Sequence, residues 1–309
     1  TGDTHRMNGN HGVAVVLDCY EKGLRGFDLS KAYEVCKNAI TEKTRMIFLV
    51  NLLGNPNQFD EIFRLVKEKD ILVLEDNCES LGAEYKGKKL GTLGLMGTYS
   101  TFYSHHMCTM EGGMVVTEDQ ELYEYMLAIR AHGWTRNLPE NSSIYQKKEN
   151  LFYESFNFIV PGYNLRPLEM EGAIGTEQLK KIDGMIAQRK ANAAYFKEKM
   201  QPFANIRLQK EIATSSWFGF SLVLEKELQG KRDLLVEKLR QAQIEVRPIV
   251  AGNFTRNKVI EFMDYTIPFP LTNADDIHDN GFFIGNHSKS NFMEIDYFVE
   301  VLKLALKEV

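Results

Sequence analysis

Two stretches of the sequence place chemically capable side chains at the ends of apolar runs. The first run, Ile71-Leu-Val-Leu74, leads directly into Glu75 and Asp76. Ligands of an open α/β sheet bind beyond the carboxyl ends of its strands, so Asp76 is a candidate to bind a metal, a ribose or a protonated ring nitrogen. A lone carboxylate in this position can equally cap a helix or face the solvent, and the residue type does not decide between these roles.

The second stretch contains a pair of histidines, His105 and His106, within Thr101-Phe-Tyr-Ser-His-His-Met-Cys-Thr-Met-Glu-Gly-Gly113. A neutral imidazole, with an ordinary pKa of about 6.5, is suited to removing a carbon-bound proton at physiological pH. Without further context, a His-His pair in a loop is more often a surface or helix-capping feature. The spacing between this stretch and Asp76 is what favours a functional role for the histidines.

Short apolar runs bounded by polar residues or glycine are typical of buried parallel strands, and three of them precede the histidines. Apolar positions at helical spacing lie between them, which predicts strand, helix, strand, helix, strand and therefore an α/β fold. The predicted strands are 13–17, 46–50 and 71–74, and the predicted helices are 29–40 and 59–69.

The remaining pattern predicts a continuation of this domain and then a second, smaller α/β domain. We place the large domain at residues 1–189 and the small one at 190–309. A long helix from Pro167 to Met200 is expected to bend near Asp183-Gly184. The other predicted elements are a strand at 114–117, a helix at 120–130, an exposed loop at 139–150, a strand at 217–224, a helix at 231–242, a strand starting at 245 and a C-terminal helix.

Bulk composition excludes several classes of partner. The 309 residues are 44% hydrophobic and 26% charged, with a formal net charge of -5, so long-range attraction to nucleic acid is not expected. No apolar run approaches the ~20 residues of a membrane span, and the first residues lack the apolar core of a signal peptide. A cytoplasmic location is predicted. The scattered Cys19, Cys36, Cys78 and Cys108 indicate free thiols rather than disulfides, an iron-sulfur cluster or another metal site.

The two stretches together resemble the DegT/DnrJ/EryC1/StrS aminotransferase family. Glu75-Asp-Asn-Cys-Glu-Ser-Leu-Gly82 matches the family's E-D-x-x-Q-x-x-G, and Thr101–Gly113 matches S-F-x-x-x-K-x-x-x-G-x-G-G. The lysine that holds pyridoxal phosphate falls on His106, and the first glycine falls on Met110. The resemblance implies the aspartate aminotransferase fold, fold type I of the pyridoxal-phosphate enzymes, with a mostly parallel sheet in the large domain.

Within the family, histidine at the lysine position marks 3-dehydratases of sugar nucleotides. The chain lacks the cysteines of the iron-sulfur kind and is similar to the metal-free kind, which acts on GDP-4-keto-6-deoxy-D-mannose on the way to colitose, a sugar of lipopolysaccharide O-antigens. The likeness extends from about residue 12 to the end. Its further segments are 51–56, 131–137, 161–169, 216–220 and 247–254.

The resemblance implies a role for each cofactor residue. Asp76 would keep the ring nitrogen protonated, and Glu79 would face the ring's 3-hydroxyl where the family usually has glutamine. Thr101 and Asn164 would hold the phosphate, with Asn164 supplied by the second subunit of a homodimer. His106 cannot hold an imine, so the cofactor would rest as pyridoxamine phosphate, and His106 would act as base and then as acid.

The implied reaction expels the C3 hydroxyl of a 4-keto sugar and releases ammonia, and glutamate then restores the amine of the cofactor. Arg247 and Glu245 are candidates for substrate contact, although a surface ion pair is an equal alternative for Glu245. Phe156 and Phe158 would line the sugar site or fill the core, with the core preferred. Arg166 would meet phosphate or pair with Glu169.

One departure from the family concerns the start of the chain. The glycine-rich turn that cradles the cofactor phosphate, and an aromatic residue that covers the ring, are not recognisable, so about 100 residues are expected to be missing. Two alternatives therefore stay open beside the dehydratase. One is an amino-sugar aminotransferase, and the other is an inactive fragment that only binds sugar nucleotide or dimerises.

Overall fold

The computed structural model describes residues 40–267 and 270–309. The predicted strand 13–17, nearly all of the predicted helix 29–40 and the thiols Cys19 and Cys36 lie outside this range. The predictions for the rest of the chain can be compared element by element.

The first sheet has four strands in the order β1-β2-β5-β6. Its strands are β1 Met46–Val50, β2 Leu72–Asp76, β5 Met96–Ser100 and β6 Gly113–Val116. The first three run parallel, and β6 is antiparallel to β5. The predicted strands at 46–50, 71–74 and 114–117 are thus confirmed within one residue at each start, and the sequence prediction did not include β5.

Helix α1, Phe59–Val66, lies between β1 and β2 and buries Phe59, Ile62 and Leu65 against the sheet. It ends three residues before the predicted end at Lys69, because Glu68 adopts a left-handed φ of 65° that no helix continues through. A small hairpin, β3 Glu84–Tyr85 and β4 Lys88–Lys89, follows β2. Helix α2, Gln120–Ile129, agrees with its prediction.

The adjacent acids at the end of β2 point to opposite faces, as the two-residue period of a strand requires. Glu75 is fully buried, and its carboxylate accepts hydrogen bonds from the backbone amides of Gly91, Leu93 and Gly94 at 2.6, 2.7 and 2.7 Å. These bonds fix the turn that leads into β5. Glu75 is therefore a structural residue, whereas Asp76 is left on the other face.

The predicted helix 167–200 is two helices, preceded by the short α3, Leu151–Glu154. The two are α4, Glu169–Leu179, and α5, Ile182–Met200. The break lies at Lys180 and Lys181 and not at Asp183-Gly184, which continue helically inside α5. The proposed domain boundary at residue 190 falls within α5 and stays a prediction.

The second sheet is antiparallel, with strands in the order β7-β8-β10-β9. Its strands are β7 Ile206–Leu208, β8 Gly219–Leu224, β9 Val246–Arg247 and β10 Gly281–Gly285. The predicted strand 217–224 begins two residues late, because Trp217 takes a left-handed φ of 51°. The helices of this region are α6 Arg232–Gln241, α7 Thr272–Asn280 and α8 Phe292–Ala305.

Helices α5 and α8 pack on the second sheet and form the larger core. Phe196 of α5 stacks on Phe220 of β8 with ring centroids 4.2 Å apart and planes 5° apart. Both rings are 1% exposed, and Leu222 and Leu302 in the same cluster are fully buried. Burying each of these side chains contributes about 1.5–3 kcal/mol.

The two sheets meet where the 3₁₀ turn Leu52–Gly54 follows β1. Leu53 is fully buried against Val223 and Phe283 of the second sheet. Gly54 has a φ of 85°, and a Cβ there would lie 2.7 Å from the backbone nitrogen of Trp217. Only glycine permits this approach, so the contact between the sheets is specified by the sequence at that position.

Replacing Glu75 with Gln tests the role of the buried carboxylate. One of its two oxygens becomes an NH₂ group facing backbone N-H donors, so we expect the free energy of unfolding to fall by about 1–3 kcal/mol. Urea unfolding followed by circular dichroism measures the change. Glu61→Gln is the control, since Glu61 forms an exposed pair with Arg64 and should cost about 0.5 kcal/mol or less. Equal losses in the two variants would contradict the assignment.

Candidate active site around His106

A closed loop between β5 and β6 carries the histidines. Its two ends are tied together, since Thr101 N donates to Gly112 O at 3.0 Å and Thr109 N donates to Thr101 O at 2.8 Å. Met110 and Gly112 take left-handed φ values of 76° and 118°. Methionine at 110, where the family motif has glycine, thus adopts a backbone conformation that side chains disfavour.

His106 is 3% exposed, so the interpretation of the histidine pair as a surface feature is wrong for this residue. Its Nε2 lies 3.1 Å from the backbone oxygen of Ser216. A carbonyl oxygen only accepts hydrogen bonds, so Nε2 carries the proton and Nδ1 carries the lone pair. Nδ1 is buried and has no hydrogen-bond partner among the described residues. The ring is therefore held by one nitrogen and chemically available at the other.

The surroundings of His106 strongly favour its neutral form. Burial, and then the positive charge of Arg189, lower the pKa of His106 to about 3, and His105 adds a smaller effect in the same direction. The hydrogen bond to Ser216 opposes this shift only partly. Burial also lowers the pKa of His105. A neutral imidazole with a depressed pKa is available as a base at physiological pH and, once protonated, is a strong acid.

Asp76 lies at the carboxyl end of β2, as predicted, between the ends of β1 and β5. Its Oδ1 accepts a hydrogen bond from Cys78 N at 3.0 Å and lies 3.4 Å from Thr98 Oγ1. No helix begins there, so the alternative of a helix cap is wrong. Its negative charge is close enough to act on the pKa of His105.

Glu79 connects the end of β2 to the meeting point of the sheets. Its Oε2 accepts a hydrogen bond from Leu53 N at 2.8 Å, and Leu53 O accepts from Phe218 N at 3.1 Å. The ring of Phe218 in turn lies 5.7 Å from the ring of His106. Asp76, Glu79 and His106 are thus brought into one region, as the sequence predicted.

The two predicted phosphate residues differ in their surroundings. Thr101 is 3% exposed, and its hydroxyl oxygen lies 2.6 Å from that of Thr109. Asn164 is exposed, and its Oδ1 accepts a hydrogen bond from Arg166 Nε at 3.3 Å. The described ion pairs include none between Arg166 and Glu169. Both phosphate assignments stay predictions.

The preference for Phe156 and Phe158 as core residues is wrong, since they are 67% and 52% exposed. Phe158 stacks on Trp134 with ring centroids 5.7 Å apart, and Phe156 lies 5.4 Å from the same indole. The guanidinium of Arg136 lies 3.8 Å over the Trp134 ring. Partial stacking leaves ring faces at the surface, which suits a flat or apolar ligand.

Two glutamates anchor the loop at 139–150, which is largely exposed as predicted. Glu124 accepts hydrogen bonds from Ser143 N at 2.8 Å and from three side-chain groups nearby, and these bonds lower its pKa to about 2. Glu154 accepts from Tyr145 OH at 2.8 Å and from the amide of Lys148. The loop beside the aromatic cluster is therefore fixed by buried carboxylates.

Arg247 of the edge strand β9 pairs with Glu245, the residue just before that strand, and Arg247 Nε donates to Glu245 Oε1 at 2.8 Å. Their side chains are 52% and 76% exposed. The structure thus shows the surface ion pair that the sequence left as an alternative for Glu245. An exposed pair can still exchange partners when an anionic ligand binds, so substrate contact stays a prediction for both.

Two residues that determine the surroundings of His106 were not predicted from the sequence. Ser216 supplies the acceptor, and Arg189 supplies the nearby charge. The only signal was the resemblance of 216–220 to the family, which gave no role to these positions. Arg189 lies inside a predicted helix, where an arginine is normally exposed.

Within 40–267 and 270–309, none of the helices combines the length and the apolar character of a membrane span. Among these described residues, no group of three or more His, Cys, Asp or Glu side chains is placed to bind a metal ion.

Comparison with known proteins identifies relatives of the chain. The model of the DegT/DnrJ/EryC1/StrS aminotransferase family matches residues 29–303. A GDP-4-keto-6-deoxy-D-mannose 3-dehydratase from Yersinia pseudotuberculosis is 52% identical over 295 residues, which are 95% of this chain and 74% of that protein.

Solved structures agree with this similarity. Escherichia coli GDP-4-keto-6-deoxy-D-mannose-3-dehydratase with bound hydrated PLP has a TM-score of 0.85 and 52% identity, covering 87% of this chain and 70% of that one. A structure of GDP-4-keto-6-deoxymannose-3-dehydratase with a trapped PLP-glutamate geminal diamine has a TM-score of 0.84 at the same identity and coverage. The α/β aminotransferase fold predicted from the sequence is thus confirmed.

Proposed function

The chain belongs to the DegT/DnrJ/EryC1/StrS aminotransferase family, and we propose that it is a sugar-nucleotide 3-dehydratase. Its substrate is a nucleotide-linked 4-keto-6-deoxyhexose, with GDP-4-keto-6-deoxy-D-mannose favoured by the relatives. The observation that carries the proposal is His106. It stands where the family's aminotransferases have lysine, and it is buried with a free Nδ1 lone pair.

The residues of the site fit pyridoxamine phosphate and pyridoxal phosphate as the cofactor. Nδ1 of His105, Nδ1 of His106 and the hydroxyl of Ser216 are buried without a partner among the described residues, although burying such groups unpaired is costly. Asp76 is close enough to His105 for its negative charge to act on that ring. A polar ligand with a cationic ring nitrogen would supply partners for the unpaired atoms and for this charge.

When bound, the cofactor supplies an amine that condenses with a ketone and a protonated ring that withdraws electrons. Asp76 holds the proton on the ring nitrogen, because a nearby carboxylate favours the charged form of a base. Glu79 would face the ring's 3-hydroxyl, and Thr101 and the partner subunit's Asn164 would hold the phosphate.

His106 performs the proton transfers of the proposed reaction. With the cofactor bound, Nδ1 would be the group that takes up a proton from the cofactor's C4′ carbon and delivers it to the oxygen of the C3 hydroxyl, which would leave as water. The low pKa of His106 makes the second transfer favourable. Hydrolysis by water would then release a 4-keto-3,6-dideoxy sugar and ammonia and leave the aldehyde form of the cofactor, and glutamate would restore the amine in a separate half-reaction. This is one step in the biosynthesis of a deoxysugar such as colitose.

Four exposed side chains are the proposed contacts to the substrate. Phe156, with its exposed face, and Arg247, Glu245 and Arg166, with exposed charges, contact the nucleotide sugar in this proposal. A cytoplasmic location accords with the free thiols of Cys78 and Cys108, which persist in a reducing compartment.

A homodimer with a shared site is part of the proposal. Between residues 151 and 170, a concentrated set of apolar side chains is exposed, which is typical of a protein-protein contact. Asn164 lies in the middle of this segment. The exposed apolar residues are Leu151, Phe152, Tyr153, Phe156, Phe158, Tyr163, Leu165, Leu168 and Met170.

Changing His106→Asn removes the proton carrier but keeps a polar side chain of similar size. We expect cofactor binding, followed by absorbance, to survive while ammonia release falls by about a hundredfold to ten-thousandfold. His106→Lys should bond covalently to the aldehyde cofactor, and borohydride followed by mass spectrometry would trap the product. His287→Asn, at an exposed position after β10, is the control. Undiminished ammonia release from His106→Asn would refute the proposed role of His106, and absence of ammonia release from the wild-type protein would refute the dehydratase function.

Changing Asp76→Asn removes the charge beside the ring nitrogen. A close ion pair shifts a pKa by about 1–3 units, so turnover should fall by at least about tenfold while the fold persists. Initial rates of ammonia release and circular dichroism measure the two effects. Asp70→Asn, at an exposed position before β2, should change neither. Equal turnover in Asp76→Asn and Asp70→Asn would mean that Asp76 has no role in the reaction and serves only to accept the hydrogen bond from Cys78 N.

Mixing two inactive variants tests the shared site. If Asn164 acts in the partner's site, equal amounts of Asn164→Ala and His106→Asn chains should recover about a quarter of the wild-type activity after subunit exchange, because one site in each mixed dimer has both residues intact. Each variant alone is the control, and sedimentation velocity reports the mass. A monomeric mass, or a mixture that stays inactive, would argue against the shared dimer.

A further inference from the structure

Three consecutive backbone carbonyls, those of Ser216, Trp217 and Phe218, begin with the hydrogen-bond acceptor of His106. Each accepts a hydrogen bond from a buried side chain of a different element. His106 Nε2 donates to Ser216 O at 3.1 Å, Asn286 Nδ2 to Trp217 O at 2.8 Å, and Arg189 Nη1 to Phe218 O at 3.2 Å. The position of the acceptor for His106 is therefore determined by the two bonds that follow it.

The conformation of this segment explains why it needs external support. Trp217 has a left-handed φ of 51°, which is unfavourable for an aromatic residue and cannot be continued by the ladder of β8. Ser216 N donates to Gly54 O at 2.9 Å, so the segment is held from the first sheet as well. Without such bonds the chain would relax, and the carbonyl of Ser216 would move away from His106.

Asn286 and Arg189 also hold each other. Asn286 Nδ2 donates to the backbone oxygen of Arg189 at 3.0 Å, and the guanidinium donates to the backbone oxygen of Asn286. Asn192 Nδ2 donates to Asn286 Oδ1 at 3.0 Å, which fixes the orientation of the amide. The pair therefore forms a rigid support between α5 and the residues after β10.

Arg189 is a buried cation whose contacts are carbonyls and not carboxylates. It is 5% exposed, and the described ion pairs include none that involves it. Burial lowers the pKa of Arg189 to about 10, so it remains charged at physiological pH. Its uncompensated charge acts on His106. The other titratable groups that bear on His106 are His105 from the same loop and, through His105, the carboxylate of Asp76.

We propose that Arg189 and Asn286 are positioning residues for His106: together they fix the carbonyls of residues 216–218, and this fixes His106 as the Nε2-H tautomer with Nδ1 toward the reacting atoms. Arg189 has a second effect, because its charge keeps His106 neutral until it receives the proton of the reaction. This inference rests on the proposed role of His106 and assigns the residues that make that role possible.

The test measures the His106 ring directly, in full-length protein labelled with ¹⁵N-histidine. The His106 signals are identified by their loss in His106→Asn. Wild-type protein should show one tautomer, with the proton on Nε2 exchanging slowly with solvent. Three variants separate the two effects: Asn286→Leu removes the support and keeps the charge, Arg189→Lys keeps the charge with a shorter reach, and Arg189→Met removes both.

We expect averaged ¹⁵N shifts and faster proton exchange in all three variants, because the Ser216 carbonyl is no longer fixed. The pKa of His106 should rise by about one unit or more only in Arg189→Met, and the acidic limb of the kcat/KM profile should move to higher pH with it. Arg189→Lys should keep the wild-type pKa. In Asn286→Leu, kcat should fall by about tenfold to a hundredfold with KM nearly unchanged.

Lys190→Met is the matched control, since it removes a charge from the next position of the same helix. A merely structural role would lower activity equally at every pH and leave the tautomer unchanged. A His106 signal in Asn286→Leu and Arg189→Met that matches the one in Lys190→Met would overturn the proposal. Failure of the dehydratase assignment is distinguishable, because the wild-type protein would then release no ammonia from a 4-keto sugar nucleotide whatever the tautomer of His106.

Discussion

The hydrogen bond from His106 to the carbonyl of Ser216 joins the loop after β5 to the entry of β8, and so joins the two sheets at the site. A buried imidazole needs a partner for its N-H group, and a backbone carbonyl is a partner that cannot itself take up a proton. The bond therefore fixes both the orientation and the tautomer of the ring. The other contacts between the sheets, at Leu53 and Gly54, keep the two ends of this bond in register.

Near the site, the buried carboxylates that stabilise turns accept several hydrogen bonds, whereas some buried imidazole nitrogens have no hydrogen-bond partner among the described residues. Glu75 receives three backbone N-H groups, and Glu124 and Glu154 each receive one backbone N-H group together with side-chain donors, so that these carboxylates stabilise turns and loops. Nδ1 of His105 and Nδ1 of His106 have no such partner within residues 40–267 and 270–309. Buried polar atoms are costly to leave unpaired, so their concentration beside Asp76 marks the place where a ligand contributes the missing bonds.

The charges around His106 favour the neutral form of its imidazole. A carboxylate close to the imidazole would raise its pKa and leave it protonated at rest, whereas Arg189 and burial lower it. The negative charge of Asp76 acts instead on His105. In the proposed reaction, proton removal by His106 and electron withdrawal by a cationic ring require opposite electrostatic surroundings. The fold separates them, since Asp76 ends β2 and His106 lies in the loop after β5.

How much the sequence determined can be seen at particular residues. Periodicity and strand ends predicted β1, β2, β6 and the position of Asp76, because buried parallel strands require uninterrupted apolar runs. The resemblance to the two family motifs identified His106 and Glu79 as candidate site residues. The strand at 96–100 was missed because its sequence, Met-Gly-Thr-Tyr-Ser, has neither an apolar run nor a clear alternation, and it pairs only because β2 and β6 flank it.

Tertiary structure alone decided which nitrogen of His106 carries the proton, since the partner at Ser216 is 110 positions away in sequence. It likewise placed Arg189 inside the protein and Phe156 outside it, against the usual tendency of each residue type. Helical periodicity shows which residues share a face, but it does not show what that face meets. Local patterns fix the elements and the residue types, and the proton's position depends on contacts between elements that only the folded chain brings together.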